Sequence, residues 1–484
     1  MELVYRGLST GYYLAKKGFK VIILDKNGIG EKTSGNTTAK ITLQHNLIYN
    51  YLINSYGVDF ALGYFESNKE AIDDIKKIID SENIDCDFEY QDNYIYTTDQ
   101  NELPKIHNEI KALTTLYNIQ KNENPEDSYS QFITNCGLPI KIAGGIKTTK
   151  QAQFHPRKYM LGLANAIKNF GGLIFNNSLV TDVKKYENGY ISYTSKHNIK
   201  SKYIVLASHY PFINFPGFHF LKMYQETSYA IAIKTKNTLF EGMYINTKDP
   251  IFSFRTAKYN NNRLLIIAGG NHKTGYTPEN NSSYGYASLI ELAKKHYPDF
   301  EILYKWNTRD CISLDKIPYI GEFSTLMPNM YICTGFNKWG MTSSNVAANI
   351  ITDCILGVDN KYLKIYDSTR LKPIKNRDEL KNMAGQVFKS FVSNRIKIPE
   401  ENLSAIKNNN GGIIKVNNSN VGIYKDTNGI IYAINPTCTH LGCLLTWNNL
   451  DKTWDCPCHG SRFNYDGKNL YDPAFKDLEK YDLT

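Results

Sequence analysis

Cys438-Thr-His440-Leu-Gly-Cys443, followed after twelve residues by Cys456-Pro-Cys458-His459-Gly-Ser461, is the densest concentration of chemistry in the chain. Each half supplies one thiolate and one imidazole at short spacing, Cys438-x-His440 in the first and Cys456-x-x-His459 in the second. Two Cys and two His also suit a tetrahedral zinc site. Zinc fingers, however, pair Cys with Cys and His with His, whereas here both knuckles are mixed. A mixed set suits a two-iron cluster, with two thiolates on one iron and two neutral imidazoles on the other. That arrangement raises the reduction potential above that of all-cysteine clusters.

Around this stretch the texture is that of a small all-β domain over 398–484. Short β runs such as Gly412-Ile-Ile-Lys-Val416 and Ile430-Ile-Tyr-Ala-Ile434 alternate with Asn/Gly/Asp turns. Residues 361–397 read as a linker containing one helix, with Asn376 and Glu379 spaced as a capping box. The linker is strongly basic, a local +7, beside a C-terminal module of −2. A basic connector next to an acidic module points to docking between them rather than to a nucleic-acid surface.

The paired boxes resemble the Rieske family, and closely its cytochrome bc-complex branch. The resemblance implies a [2Fe-2S] cluster held by Cys438, His440, Cys456 and His459, with Cys443 and Cys458 joined as a disulfide. It also places the Ser461 hydroxyl on a cluster sulfide and Asp472-Pro473-Ala474 in a shielding loop. Position 463 is Phe where high-potential members carry a Tyr that donates to a cysteine sulfur. Losing that donor destabilises the reduced cluster, so a milder oxidant is expected.

Residues 1–360 open with a helical pattern from Leu8 to Lys17 and a buried strand, Lys20-Val-Ile-Ile-Leu-Asp25. Apolar positions at Phe65, Ile72, Ile75 and Ile79 predict an amphipathic helix over 58–80. Helices are also expected from Arg157 to Phe170 and from Thr342 to Leu356, with strands at 203–207 and 264–268. Several segments resemble the FAD-dependent oxidoreductases of the D-amino-acid oxidase and glycine oxidase type. Asp25 stands where such an acid bonds a ribose hydroxyl, and the loop from Gly28 through Ser34-Gly-Asn-Thr-Thr-Ala-Lys40 looks like the one reaching the flavin. Val180 matches an adenine contact. Asp315 to Gly321 and Thr334-Gly-Phe-Asn-Lys-Trp-Gly-Met-Thr342 match C-terminal flavin motifs, which brings in Gly335, Gly340, Met341 and Thr342. A Gly-flanked turn entering a helix offers free N–H groups and a positive dipole end to a reduced flavin. The implied fold is α/β plus all-β: a doubly wound FAD-binding domain with an inserted mixed-sheet substrate domain, then a small Rieske β-domain.

One departure stands out. Of the dinucleotide fingerprint G-x-G-x-x-G only the third glycine is present, as Gly7, with Glu2 and Val4 at the first two positions and no strand ahead of them. That strand is central in doubly wound sheets. Two expectations follow: a start lying upstream of Met1, which is favoured, or a chain impaired in FAD binding.

At 484 residues two or three domains are expected. No run of eighteen apolar residues occurs and the first thirty residues lack a signal-peptide pattern. The expected location is therefore the cytoplasm, with no transmembrane segment and no nucleic-acid partner. A flavin beside a one-electron cluster suggests an oxidoreductase acting on a small molecule, an amine or amino acid by analogy of fold, in exchange with an unidentified electron partner. No catalytic base is assigned; His45, His272 and Arg255 fall in suitable segments, yet structural roles are favoured for each. The rival reading is a non-catalytic electron carrier on an FAD-impaired domain. A Rieske oxygenase is disfavoured because no H-x4-H pair exists for a mononuclear iron site.

Overall fold

The computed structural model describes residues 5–120, 129–276, 284–370 and 403–483. The linker helix expected around Asn376 and Glu379 lies outside them.

Helix Tyr5–Lys16 buries Tyr5, Leu8 and Tyr12 and packs on helices Pro156–Asn169 and Gly340–Leu356. The last of these stops at Gly357, whose left-handed φ of 71° a side chain would resist. Beneath these helices the parallel layer is divided. Strand Ile22–Leu24 pairs in parallel with Leu173–Phe175, and Ile204–Leu206 pairs in parallel with Met330–Thr334. Among the described residues the two pairs share no hydrogen bonds. A slot of about 850 Å³ separates them, lined by Val21, Ile23, Leu24, Ile204, Leu206 and the Gly7 face of the first helix. The expected buried strand from Lys20 to Asp25 is therefore only partly buried: Ile22 is 44% exposed while Asp25 is fully enclosed. Parallel strands bury both faces and both edges only when neighbours and helices close over them, and here one edge meets the slot.

The larger sheet has nine strands and is mixed. Long antiparallel strands Met223–Thr235, Phe252–Tyr259, Asn262–Lys273 and Phe300–Ser313 lead through Met243–Asn246 to Glu89–Thr97, Gly144–Gln153 and Lys40–Ile41. Helices Val58–Ser81 and Leu103–Gln120 belong with the core on the side of the first helix.

The chain stays on this large region past residue 360. Helix Leu363–Tyr366 buries Tyr366, whose hydroxyl meets Ser67 at 2.7 Å. Arg370 grips Asp315 with two hydrogen bonds of 2.7 and 3.0 Å and lies over the Tyr319 ring at 3.9 Å. Such a bidentate, desolvated pair is costly to break from one side.

The C-terminal module consists of a three-stranded sheet, Asn410–Val416, Ser419–Lys425 and Ile431–Ile434, and a four-stranded one, Thr446–Asn448, Thr453–Asp455, Arg462–Asn464 and Asn469–Tyr471. Trp454 and Phe463, both fully buried, fill its centre beside the cysteine loops. Arg462, 2% exposed, is neutralised by Asp455 and Asp451 at 2.6–2.8 Å. Among the described residues no helix is long and apolar enough to cross a membrane.

Candidate functional site

The two cysteine loops are the same turn made twice. In the first, Cys438 N–H donates to Cys443 O at 2.8 Å and Gly442 N–H to Cys438 O at 3.0 Å. In the second, Cys456 N–H donates to Ser461 O at 2.8 Å and Gly460 N–H to Cys456 O at 2.9 Å. The fifth residue of each, Gly442 or Gly460, sits at φ 76° or 80°, a conformation that favours glycine. Cys443 and Cys458 join the loops in a disulfide of S–S 2.13 Å.

The loops bring His440 and His459 edge to face, ring centroids 5.1 Å apart. Both Nδ1 atoms are buried and, among the described residues, without a hydrogen-bond partner. Burial pushes the His440 pKa down to about 4 and that of His459 to about 3, so both rings are neutral, as metal ligands must be. The Cys438 and Cys456 thiols are in mutual contact, which lowers the first and raises the second. Two sulfurs and two orphaned imidazole nitrogens at one buried spot fit a metal cluster; unpaired buried polar atoms without such a group would be costly. The sulfurs of Cys443, Cys456 and Cys458 lie within 4.8 Å of one another, but two of the three are spent in the disulfide. Ser461 Oγ accepts the Ala474 N–H at 3.0 Å and helps lower the Cys438 pKa.

This histidine edge faces the large region. Asn214 meets His440 Nε2 at 3.1–3.2 Å. Phe220 lies edge-on to His459 at 5.7 Å and Tyr210 at 6.0 Å. Around the rim, Lys26 pairs with Asp472 at 3.2 Å, Thr446 donates to Gly275 O at 2.8 Å, and Arg309 stacks on Tyr471 at 3.7 Å. The backbones approach so closely that a Cβ on Gly275 would stand 2.4 Å from Pro457.

On the other side of His209-Tyr210 opens a second cavity, about 160 Å³, between the start of the first helix, the loop 33–40, the large sheet and the N-terminus of helix 340–356. Arg6 donates to His209 Nδ1 at 3.3 Å. Arginine has no acceptor, so the hydrogen of this neutral ring sits on Nε2, which has no protein partner, as is true of Thr308 Oγ1. Lys40 Nζ donates to Tyr244 O and Ser253 Oγ, both at 2.6 Å, and burial beside Arg255 lowers its pKa to about 7. These polar side chains and the helix N-terminus fit the ring end of a flavin.

Gly340 and Met341 line this cavity. Thr342 lies just behind, bonded to His45 Nε2 at 3.1 Å. Gly335, at φ 70°, shapes the turn before them. Asp25 closes its strand by accepting Asn27 N–H at 3.0 Å, and Val180 is buried along the slot. Gly7 also faces the slot, not the cavity. His45 is held by Tyr64 and Thr42, His272 by Tyr229, and Arg255 by two backbone carbonyls. Sequence reasoning missed Tyr210, Asn214 and Phe220; the signal was the aromatic run from His209 to Tyr224, which follows neither helical nor strand periodicity.

A divided flavin-type layer, a mixed sheet and a cysteine–histidine β-module together define a flavin-dependent oxidoreductase with an attached iron–sulfur centre. The FAD dependent oxidoreductase family profile matches residues 5–354 and the Rieske [2Fe-2S] domain profile residues 398–482. The chain belongs to the FAD dependent oxidoreductase family, carries a Rieske domain, and its implied cofactors are FAD and a [2Fe-2S] cluster. It is 36% identical to the Rieske 2Fe-2S iron-sulfur protein YhfW of Bacillus subtilis (strain 168), over 99% of this chain and 91% of that protein. Gamma-glutamylputrescine oxidoreductase of Escherichia coli (strain K12) is 22% identical, over 73% of this chain and 82% of its own length. Among solved structures, glycine oxidase from Geobacillus kaustophilus has the same fold, with TM-score 0.60 at 17% identity, covering 76% of this chain and 96% of that one.

Proposed function

We propose that the chain oxidises a small amine or amino acid in the 160 Å³ cavity and exchanges the electrons singly with a cluster held by Cys438, His440, Cys456 and His459. When bound, FAD supplies two-electron oxidation and the cluster one-electron carriage. The observation that carries this reading is the shared wall: His209 faces the cavity while Tyr210, the next residue, lies against His459. Asp25, Val180 and Gly7 would serve the ribose and adenine side of FAD, and Gly335, Gly340, Met341 and Thr342 its ring end. Arg6 sets the His209 tautomer, so that the ring keeps its hydrogen on Nε2. The substrate class rests on the names of relatives such as gamma-glutamylputrescine oxidoreductase and glycine oxidase. A cytoplasmic location accords with Cys86, Cys136, Cys333 and Cys354 remaining thiols, while burial to 3–4% shields the Cys443–Cys458 disulfide. The test is anaerobic mixing of the cofactor-loaded protein with a panel of amines and amino acids, monitored by electron paramagnetic resonance. One of them should generate the reduced cluster signal. If dithionite reduces the cluster and no amine or amino acid does, the reading is wrong.

A further inference from the structure

The segment Pro211–Leu221 runs between strands Ile204–Leu206 and Met223–Thr235 and belongs wholly to the large region, yet its side chains reach the C-terminal module's histidines. Asn214 is fixed at the base of a turn, its carbonyl accepting the Phe218 N–H at 2.9 Å. Its side-chain amide meets His440 at Nε2, with Oδ1 at 3.2 Å and Nδ2 at 3.1 Å. The amide's orientation follows from the chemistry of the ring. A neutral imidazole that gives Nδ1 to a metal carries its hydrogen on Nε2, so Nε2–H donates and Oδ1 accepts. Among the described residues His459 has no such hydrogen-bond partner; the rings of Phe220, Tyr210 and His440 lie around it.

An acceptor on the distal N–H of a ligating imidazole orients the ring and raises its basicity. The more electron-rich ligand favours the oxidised iron. We infer that Asn214 is a positioning residue for the cluster, holding His440 in place and lowering the cluster's reduction potential whenever the two modules are in contact. The large region thereby sets the potential of a centre whose ligands all lie in the other module. Electron exchange and docking become one property: the cluster is the weaker oxidant when seated against the flavin cavity and the stronger one when the contact is lost. This inference rests on His440 being a ligand, and it does not depend on the substrate.

The experiment uses the full chain with its cluster, reduced chemically so that no substrate is involved. Asn214→Leu, of similar size but without an acceptor, should raise the cluster midpoint by threefold to tenfold in its reduction constant, a tenfold change being 59 mV. Pulsed paramagnetic resonance should show the remote-nitrogen signal of one imidazole changed and that of the other unchanged. Asn214→Asp keeps the acceptor and adds charge, so its midpoint should fall below that of the parent. Should Asn214→Leu fail to retain its cluster, the Asp variant decides alone, and a midpoint equal to or above the parent's would overturn the inference. An unshifted midpoint with both nitrogen signals intact in a fully loaded Leu variant would overturn it equally. A parent protein lacking two coupled imidazoles would instead refute the ligand assignment itself, and this inference with it.

Discussion

The cluster site and the flavin cavity are built on opposite plans. Every candidate ligand of the first comes from residues 438–459, on two copies of one glycine-closed turn locked by a disulfide. The second is collected from Tyr5 to Ser344, across a helix start, a loop, several strands of the large sheet and a second helix start. A site made locally depends on its own turns and cross-link. A site made by assembly depends on every element that presents a wall, including the divided parallel layer beside it. The two should therefore respond differently to damage.

The largest effect tests that independence. His459→Ala removes a candidate ligand nitrogen from the cluster site and should abolish the cluster, read as loss of about two irons per chain. The flavin content should be unchanged, because no cavity wall is touched. Loss of flavin together with iron would show that the two sites fold as one.

Next is the slot between the parallel pairs. Filling it from the first helix with Gly7→Phe should lower FAD affinity by about an order of magnitude or more, measured by flavin fluorescence quenching, because Gly7 lines the slot. If that variant binds FAD as tightly as the parent, the slot is no part of the flavin site.

A smaller effect comes from Lys40. In the folded chain it gives up its proton near pH 7, whereas an unfolded lysine keeps it to about 10.5. Between those values the unfolded state binds more protons, so raising the pH favours the fold; below about 7 the cost of burying the charge is present in full. Lys40→Met should thus be the more stable protein at pH 6, by on the order of 2 kcal/mol, and the difference should shrink by pH 9 in urea denaturation. A pH-independent difference would mean that Lys40 stays charged in the cavity wall.

The smallest effect is Phe463→Tyr. Phe463 is fully buried among the cluster-site cysteines. A hydroxyl donor there, worth about 1 kcal/mol, should raise the cluster potential by roughly 40 mV. No shift, or a fall, would place the ring away from the sulfur.

Much was legible before any coordinates. Apolar spacing, with Gly357 and Gly171-Gly172 as stops, predicts helices over 8–17, 58–80, 157–170 and 342–356, and they stand at 5–16, 58–81, 156–169 and 340–356. The cysteine–histidine boxes could be read because a turn of six residues obeys rules internal to those residues: glycine at the fifth place, thiolate at the first, imidazole at the third or fourth. Family resemblance added the flavin motifs, and the profiles agree with it. The strand from Lys20 was read as wholly buried, because a run of apolar residues says nothing of whether a neighbour occupies each edge.

What the sequence alone determined, then, was local: which residues turn, which are helical, and which side chains could hold iron. What only the tertiary structure decided was adjacency over long separations. Asn214 and His440 are 226 residues apart and meet at hydrogen-bond distance, and nothing periodic in either segment encodes that contact. Arg6 and His209 share a proton-bearing arrangement across 203 residues. Local propensity acts over a few residues through backbone sterics and hydrogen bonds. The pairing of an asparagine with a cluster histidine is settled by how two whole surfaces pack.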